Sequence, residues 1–160
     1  MERRAFLTAV GFSATASTAG CLGQIPGVET ERIQLARFSV SNMDTAPHQF
    51  DLRVERNGET VHESTHDVDG RTPDRITGAS AGCTWGTTPG AYDVFVRVDN
   101  GEWVSESLSE VKENWWDDVS CASVRAYYET EVGFVLLDNC EDHSPTDPDV
   151  CLPTDRSNTA

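Results

Sequence analysis

Phe50, Leu52 and Val54 alternate with Asp51, Arg53 and Glu55, the two-residue period of a strand with one buried face and one wet face. Asn57-Gly58 follows directly and predicts a tight hairpin, because both central positions of the favoured turn need positive φ. Upstream, Ile33 and Leu35 keep one phase and Phe38 and Val40 the other, so a bulge near Ala36-Arg37 is expected to repair the slip. Beyond a loop at Asp69 to Asp74, Tyr92, Val94, Val96 and Val98 form another alternating run, closed by Asp99-Asn100-Gly101. Residues 121–128 and 133–140 read as two strands joined around Thr130-Glu131, with Val124 and Ala126 set against Leu137 and Val135. Helical periodicity is nearly absent. The pattern predicts an all-β antiparallel sandwich of about eight strands over residues 31–142. Residues 143–160 hold several prolines and almost no apolar side chains, which reads as an acidic irregular tail.

Pro89-Gly90-Ala91-Tyr92 resembles the lead-in to a late strand of immunoglobulin-like and fibronectin-type sandwiches, where the tyrosine packs at a corner. The resemblance implies an immunoglobulin-like fold.

The first thirty residues read differently. Met1-Glu2-Arg3-Arg4 precedes an uncharged stretch from Ala5 to Ala19, and small residues lead to Cys21, the three-part layout of an export signal. Arg3-Arg4-Ala5-Phe6-Leu7 resembles the twin-arginine signal in Arg3, Arg4, Phe6 and Leu7. Thr18-Ala19-Gly20-Cys21 resembles a lipobox, with Cys21 as the lipidated first residue of the mature chain; Thr18 departs from the larger aliphatic residue usual there. Residues 1–20 are thus expected to be a signal peptide and 21–30 a tether. Together they resemble the start of a lipoprotein of halophilic archaea, which implies anchoring on the extracytoplasmic face of the cell membrane.

Charge agrees with that setting. The 160 residues carry 12 Lys or Arg against 27 Asp or Glu, a net charge of −15, so no basic surface for nucleic acid can be assembled. Only Lys112 among the twelve cations is a lysine. At molar salt the Debye length shrinks to about 3 Å and crowded carboxylates stop repelling one another, so the composition is that of a protein adapted to salt.

With Cys21 set aside, Cys83, Cys121, Cys140 and Cys151 remain, an even number for an oxidising compartment. Folding the chain at Thr130-Glu131 sets Cys121 opposite Cys140 and leaves Cys83 to Cys151. Cys83 with Cys121 and Cys140 with Cys151 is the competing pairing, since spacing alone does not fix connectivity.

His62-Glu63-Ser64-Thr65-His66 matches H-E-x-x-H, the zinc signature of many metalloproteases, in which two histidines ligate the ion and the glutamate activates water. That chemistry needs a helix, where residues four apart share a face. Here the pentapeptide follows a hairpin turn among Thr, Val and Ser, and on a strand His62 and His66 would lie about 13 Å apart at about 3.3 Å per residue. Cys140 and His143 have the spacing of copper ligands but lack a following methionine, and Asp67-Val68-Asp69-Gly70 opens like a calcium loop whose twelfth-position acid is replaced by Gly78. The tail acids Glu141, Asp142, Asp147 and Asp149 read as a solvated surface. No metal or other cofactor is expected.

Trp103, Trp115 and Trp116 carry the remaining chemistry, because exposed tryptophans stack on sugars or on partner proteins. Adjacent residues of an extended segment face opposite ways, so one of Trp115 and Trp116 is expected at the surface, beside Asp117 and Asp118. The reading is therefore a non-catalytic binding module that holds an envelope protein or surface polymer through Trp115, Trp116, Asp117 and Asp118. A zinc hydrolase using His62, Glu63 and His66 is the alternative.

Overall fold

The computed structural model describes residues 32–154. Eight strands form two four-stranded sheets: β1 (Gln34–Asn42), β2 (His48–Arg56), β3 (Glu59–Val68), β4 (Thr77–Ser80), β5 (Tyr92–Val98), β6 (Val104–Ser107), β7 (Cys121–Tyr128) and β8 (Val132–Leu137). The first sheet runs β4-β1-β7-β8 and the second β3-β2-β5-β6. The fold is an all-β sandwich. Phe38, Val40, Val124 and Ala126 of one sheet meet Phe50, Leu52, Val54, Tyr92, Val94 and Val96 of the other in a single buried core, which gives each alternating run its reason to form.

Local chemistry behaves as its residues dictate. Asn57 and Gly58 adopt φ of 54° and 81° and close the β2–β3 hairpin. Between Leu35 and Arg37 the register of β1 against β7 slips by one. The extra residue, Ala36, is buried on the opposite side of the strand with Cys121, Cys140, Val150 and Leu152, so both phases of β1 find apolar cover. Tyr92 is fully buried and its hydroxyl donates to the Thr88 carbonyl at 2.6 Å.

The sheets are antiparallel-rich as expected, with β1 and β7 running parallel while the other ladders are antiparallel. Three details differ from the expectation. Val124 pairs with Leu136 and Ala126 with Phe134, one residue away from the expected partners. This slip turns the larger Phe134 and Leu136 toward the core and leaves Val135 43% exposed; a one-residue shift exchanges the faces of a strand.

The segment before Trp116 is helical, not extended. α1 spans Leu108–Trp115; its run of Leu, Glu and Lys lacks Gly and Pro, and buried Leu108 fastens it to the core. The chain after residue 142 is irregular as expected, yet it belongs to the body. Val150, Cys151 and Leu152 are buried, the Cys151 amide donates to the Ala36 carbonyl at 2.8 Å, and the Cys83 amide donates to the Pro148 carbonyl at 3.0 Å. Cys83 is bonded to Cys151, with Cα atoms 5.3 Å apart, and Cys121 to Cys140, with Cα atoms 6.1 Å apart. Cys140 reaches Cys121 from a 3₁₀ turn, Cys140–Asp142, that follows β8, not from the ladder itself.

Candidate functional site

His62, Ser64 and His66 share one face of the edge strand β3, while Glu63 points to the other face and is exposed. Both imidazoles converge on one hydroxyl. Ser64 Oγ lies 2.8 Å from His62 Nε2 and 2.9 Å from His66 Nε2, and His62 Nδ1 lies 2.6 Å from Thr84 Oγ1. Thr84 Oγ1 donates to the Val61 carbonyl at 3.4 Å, so the proton count runs one way. His62 Nδ1–H donates to Thr84, the lone pair on His62 Nε2 accepts from Ser64, and Ser64 accepts from His66 Nε2–H. Burial against Trp85 at 5.6 Å between ring centroids favours neutral His62. Its pKa is pushed down by burial first and by the charge of His66 second. On this strand the motif cannot set two histidines and a glutamate around one ion. Among the described residues, no three His, Cys, Asp or Glu side chains converge as metal ligands. Cys140 is held in its disulfide, and His143 turns to Ser123 instead of pairing with it.

The tryptophans separate into three environments. Trp103 is partly buried and is engaged by two guanidinium groups, Arg53 and Arg97, each 4.7 Å from its ring centroid. Trp116 is half-buried and packs against the core; its amide donates to the Lys112 carbonyl at 3.1 Å, closing α1. Trp115 ends α1 and is 82% exposed, with Asp117 and Asp118 also exposed just beyond it. One of the two adjacent tryptophans faces solvent, as expected, although a helix end and not an extended strand separates them.

The sequence did not single out a third locus, on the outer face of the first sheet. A cavity of about 130 Å³ is lined there by Arg37 and Ser39 of β1, Ser123 and Arg125 of β7, and Asn139 and His143 beyond β8. Ser123 is buried and its Oγ lies 2.8 Å from His143 Nε2. Arg37 donates to Ser80 Oγ at 2.8 Å and stands 3.7 Å from Asp147 and 3.8 Å from Asp149. The available signal was the pair of triplets Arg37-Phe38-Ser39 and Ser123-Val124-Arg125, whose middle residues are buried and whose outer ones must face away from the core.

Arg3, Arg4, Phe6, Leu7 and Cys21, with the tether 21–30, lie outside the described residues. No protein-family model, curated protein or solved structure matches the chain.

Proposed function

We propose that the protein is an exported lipoprotein, held by Cys21 on the outer face of a halophile's cell membrane, that acts as a non-catalytic binding module for an envelope protein or surface polymer. The observation that carries the binding reading is Trp115, an indole left 82% exposed at the end of a helix whose C-cap residue, Trp116, is packed inward. Exposing so much aromatic surface costs hydrophobic free energy unless a partner covers it. The two disulfides support an oxidising compartment, and they hold the sandwich that presents the helix. Trp116 anchors the platform, and Asp117 and Asp118 supply acceptors for hydroxyl or amide donors of the partner.

The test is co-sedimentation with isolated cell envelopes in high salt, using wild-type and Trp115→Ala chains. Both carry Cys21→Ser, so that no lipid can take either to the membrane. Saturable binding that weakens at least tenfold in the Trp115→Ala chain, with an unchanged melting temperature, is expected. Equal sedimentation of the two would overturn the assignment.

A further inference from the structure

Strand β8 ends the first sheet, and among the described residues it pairs with β7 alone. One row of its backbone N–H and C=O groups therefore faces outward, a template on which a further strand can pair. The other three edge strands are blunted. β3 carries Glu59, Glu63 and Asp67 and has a register shift against β2, whereas β4 and β6 are only four residues long. β8 has six residues, Val132–Leu137, with no charge, no proline and no shift in its ladder. In a chain of net charge −15, this is the edge along which an approaching strand meets no acid.

Both faces beside that edge are apolar. Inward, Val132, Phe134 and Leu136 pack against the core yet stay only half-buried, because no strand lies beyond them. Outward, Val135 is 43% and Tyr127 41% exposed. Tyr127 stands opposite Gly133, and a Cβ on Gly133 would meet the outer end of its ring. The ring therefore lies across β8 toward the open edge.

A second copy fits this edge in one register. Residues directly opposite in an antiparallel pair point to the same face, so inward meets inward only when the two-fold axis passes through a residue and its own counterpart. Turning about Phe134 sets the two Phe134 side chains together, Val132 beside Leu136 and Gly133 beside Val135. Tyr127 of one protomer, lying over its own Gly133, then covers Val135 of the other. Glu131 falls opposite Leu137 and Asp138 opposite Thr130, so no acid faces an acid. Turning about Val135 instead sets Asp138 against Val132 on the core side, and turning about Gly133 sets Glu131 against Val135 and leaves Leu136 opposite Thr130.

We infer that β8 is a self-association edge: two copies join β8 to β8, antiparallel about Phe134, and two four-stranded sheets become one of eight strands. Salt controls the union. Glu131 and Asp138 bracket the strand and the net charge of each copy is −15, so dilute buffer holds the copies apart, whereas at molar salt the Debye length of about 3 Å leaves only contact-range forces. Trp115 lies on α1, in the connection from β6 to β7, and neither assignment depends on the other.

The experiment is sedimentation velocity of the full chain carrying Cys21→Ser, over a range of concentrations in molar salt and in dilute buffer. A reversible monomer–dimer equilibrium at least tenfold tighter in molar salt is expected. Val135→Lys, on the outward face, should weaken it at least tenfold without moving the melting temperature of the monomer. Register is read by a cross-link: Glu131→Cys combined with Leu137→Cys should oxidise to a disulfide-linked dimer, since opposite Cα atoms about 4.5–5.5 Å apart suit the bond. Glu131→Cys alone should not, and the two new cysteines of one chain, about 20 Å apart at about 3.3 Å per residue, cannot join each other. A chain monomeric at every concentration in molar salt overturns self-pairing, in favour of a foreign strand or none. A dimer untouched by Val135→Lys overturns the edge, one as tight in dilute buffer overturns the control by salt, and a missing cross-link in the double variant overturns the register about Phe134.

Discussion

His48 Nδ1 lies 2.6 Å from Asp99 Oδ2, while the other ring nitrogen, Nε2, lies 2.8 Å from Asp44 Oδ2. A ring with both nitrogens on carboxylates is a doubly donating imidazolium. It pins the β1–β2 loop to the turn after β5, where Asp99 also accepts from the Gln49 amide at 2.9 Å. Asp44 and then Asp99 raise the His48 pKa above its ordinary 6.5. Stability from this clamp is fully present below about pH 6.5, the unfolded value, and is lost as pH rises through the higher folded value. The alkaline side of a melting-temperature profile should therefore fall above about pH 6.5 in the wild type, and this part of the fall should vanish in His48→Gln. The same slope in both chains would refute the clamp. The partners act at the other end. Asp44 is lowered chiefly by His48, and Asp99 chiefly by the Gln49 amide and then by His48. Their contribution is present above about pH 3.9 and lost as pH falls below it.

His62 works in the opposite sense. Burial lowers its pKa below the ordinary 6.5, so between the folded and unfolded values the unfolded chain binds the extra proton. Stability is present above about pH 6.5 and lost as pH falls through the depressed folded value. His62→Gln should flatten the profile just below pH 6.5 while leaving the alkaline fall due to His48 in place. Ser64→Ala removes the shared hydroxyl between the two imidazoles and should cost about 1 kcal/mol in urea unfolding. A neutral Ser64→Ala would mean that the relay through Thr84 holds His62 without it.

How much of this was legible follows from how local each determinant is. The Asn57-Gly58 turn, the Ala36 bulge and the burial of Tyr92 depend on a few consecutive residues, and alternation displayed them. Cys121–Cys140 needed only one hairpin to be recognised. The β7–β8 register depended on turn length, and an error of one residue there exchanges Val135 for Phe134 in the core. Helix α1 is two turns long, too short for periodicity to stand out from a strand. The cavity joins Arg37 to Arg125 through a parallel pairing. Pairing between distant strands leaves no periodic mark in either one, so the two triplets looked like ordinary wet faces.

Glycines at two close approaches give a sharp contrast. A Cβ on Gly70 would overlap the Thr45 carbonyl, which is backbone in the loop that carries Asp44 and cannot swing aside. A Cβ on Gly133 would meet the outer end of the Tyr127 ring, which lies across it from the neighbouring strand on the open face and is 41% exposed. Gly70→Ala should cost about 2–3 kcal/mol, in the range of overpacking. Gly133→Ala should stay within about 1 kcal/mol, because the ring can turn out to solvent and alanine loses less backbone entropy on folding. Denaturant midpoints measured side by side check both, and equal losses would contradict the assigned difference between backbone and side-chain obstruction.

The two disulfides should differ in worth for a reason written in chain separation. Cys83–Cys151 closes 68 residues and Cys121–Cys140 closes 19. Restricting the unfolded chain by loops of these lengths corresponds to about 4.4 and about 3.2 kcal/mol respectively. Packing adds to the difference, since Cys151 lies between Val150 and Leu152, both buried beneath Ala36. Freeing it loosens the segment that also places Asp147 and Asp149 against Arg37. Cys83→Ser should therefore lower the urea midpoint further than Cys121→Ser does. Each variant should expose one new thiol to alkylation in the denatured, unreduced chain, Cys151 in the first and Cys140 in the second. Peptide mapping that finds Cys121 alkylated in Cys83→Ser would establish the competing connectivity. A larger loss in Cys121→Ser would show instead that the β7–β8 end, not the C-terminal segment, is what the cross-links chiefly secure.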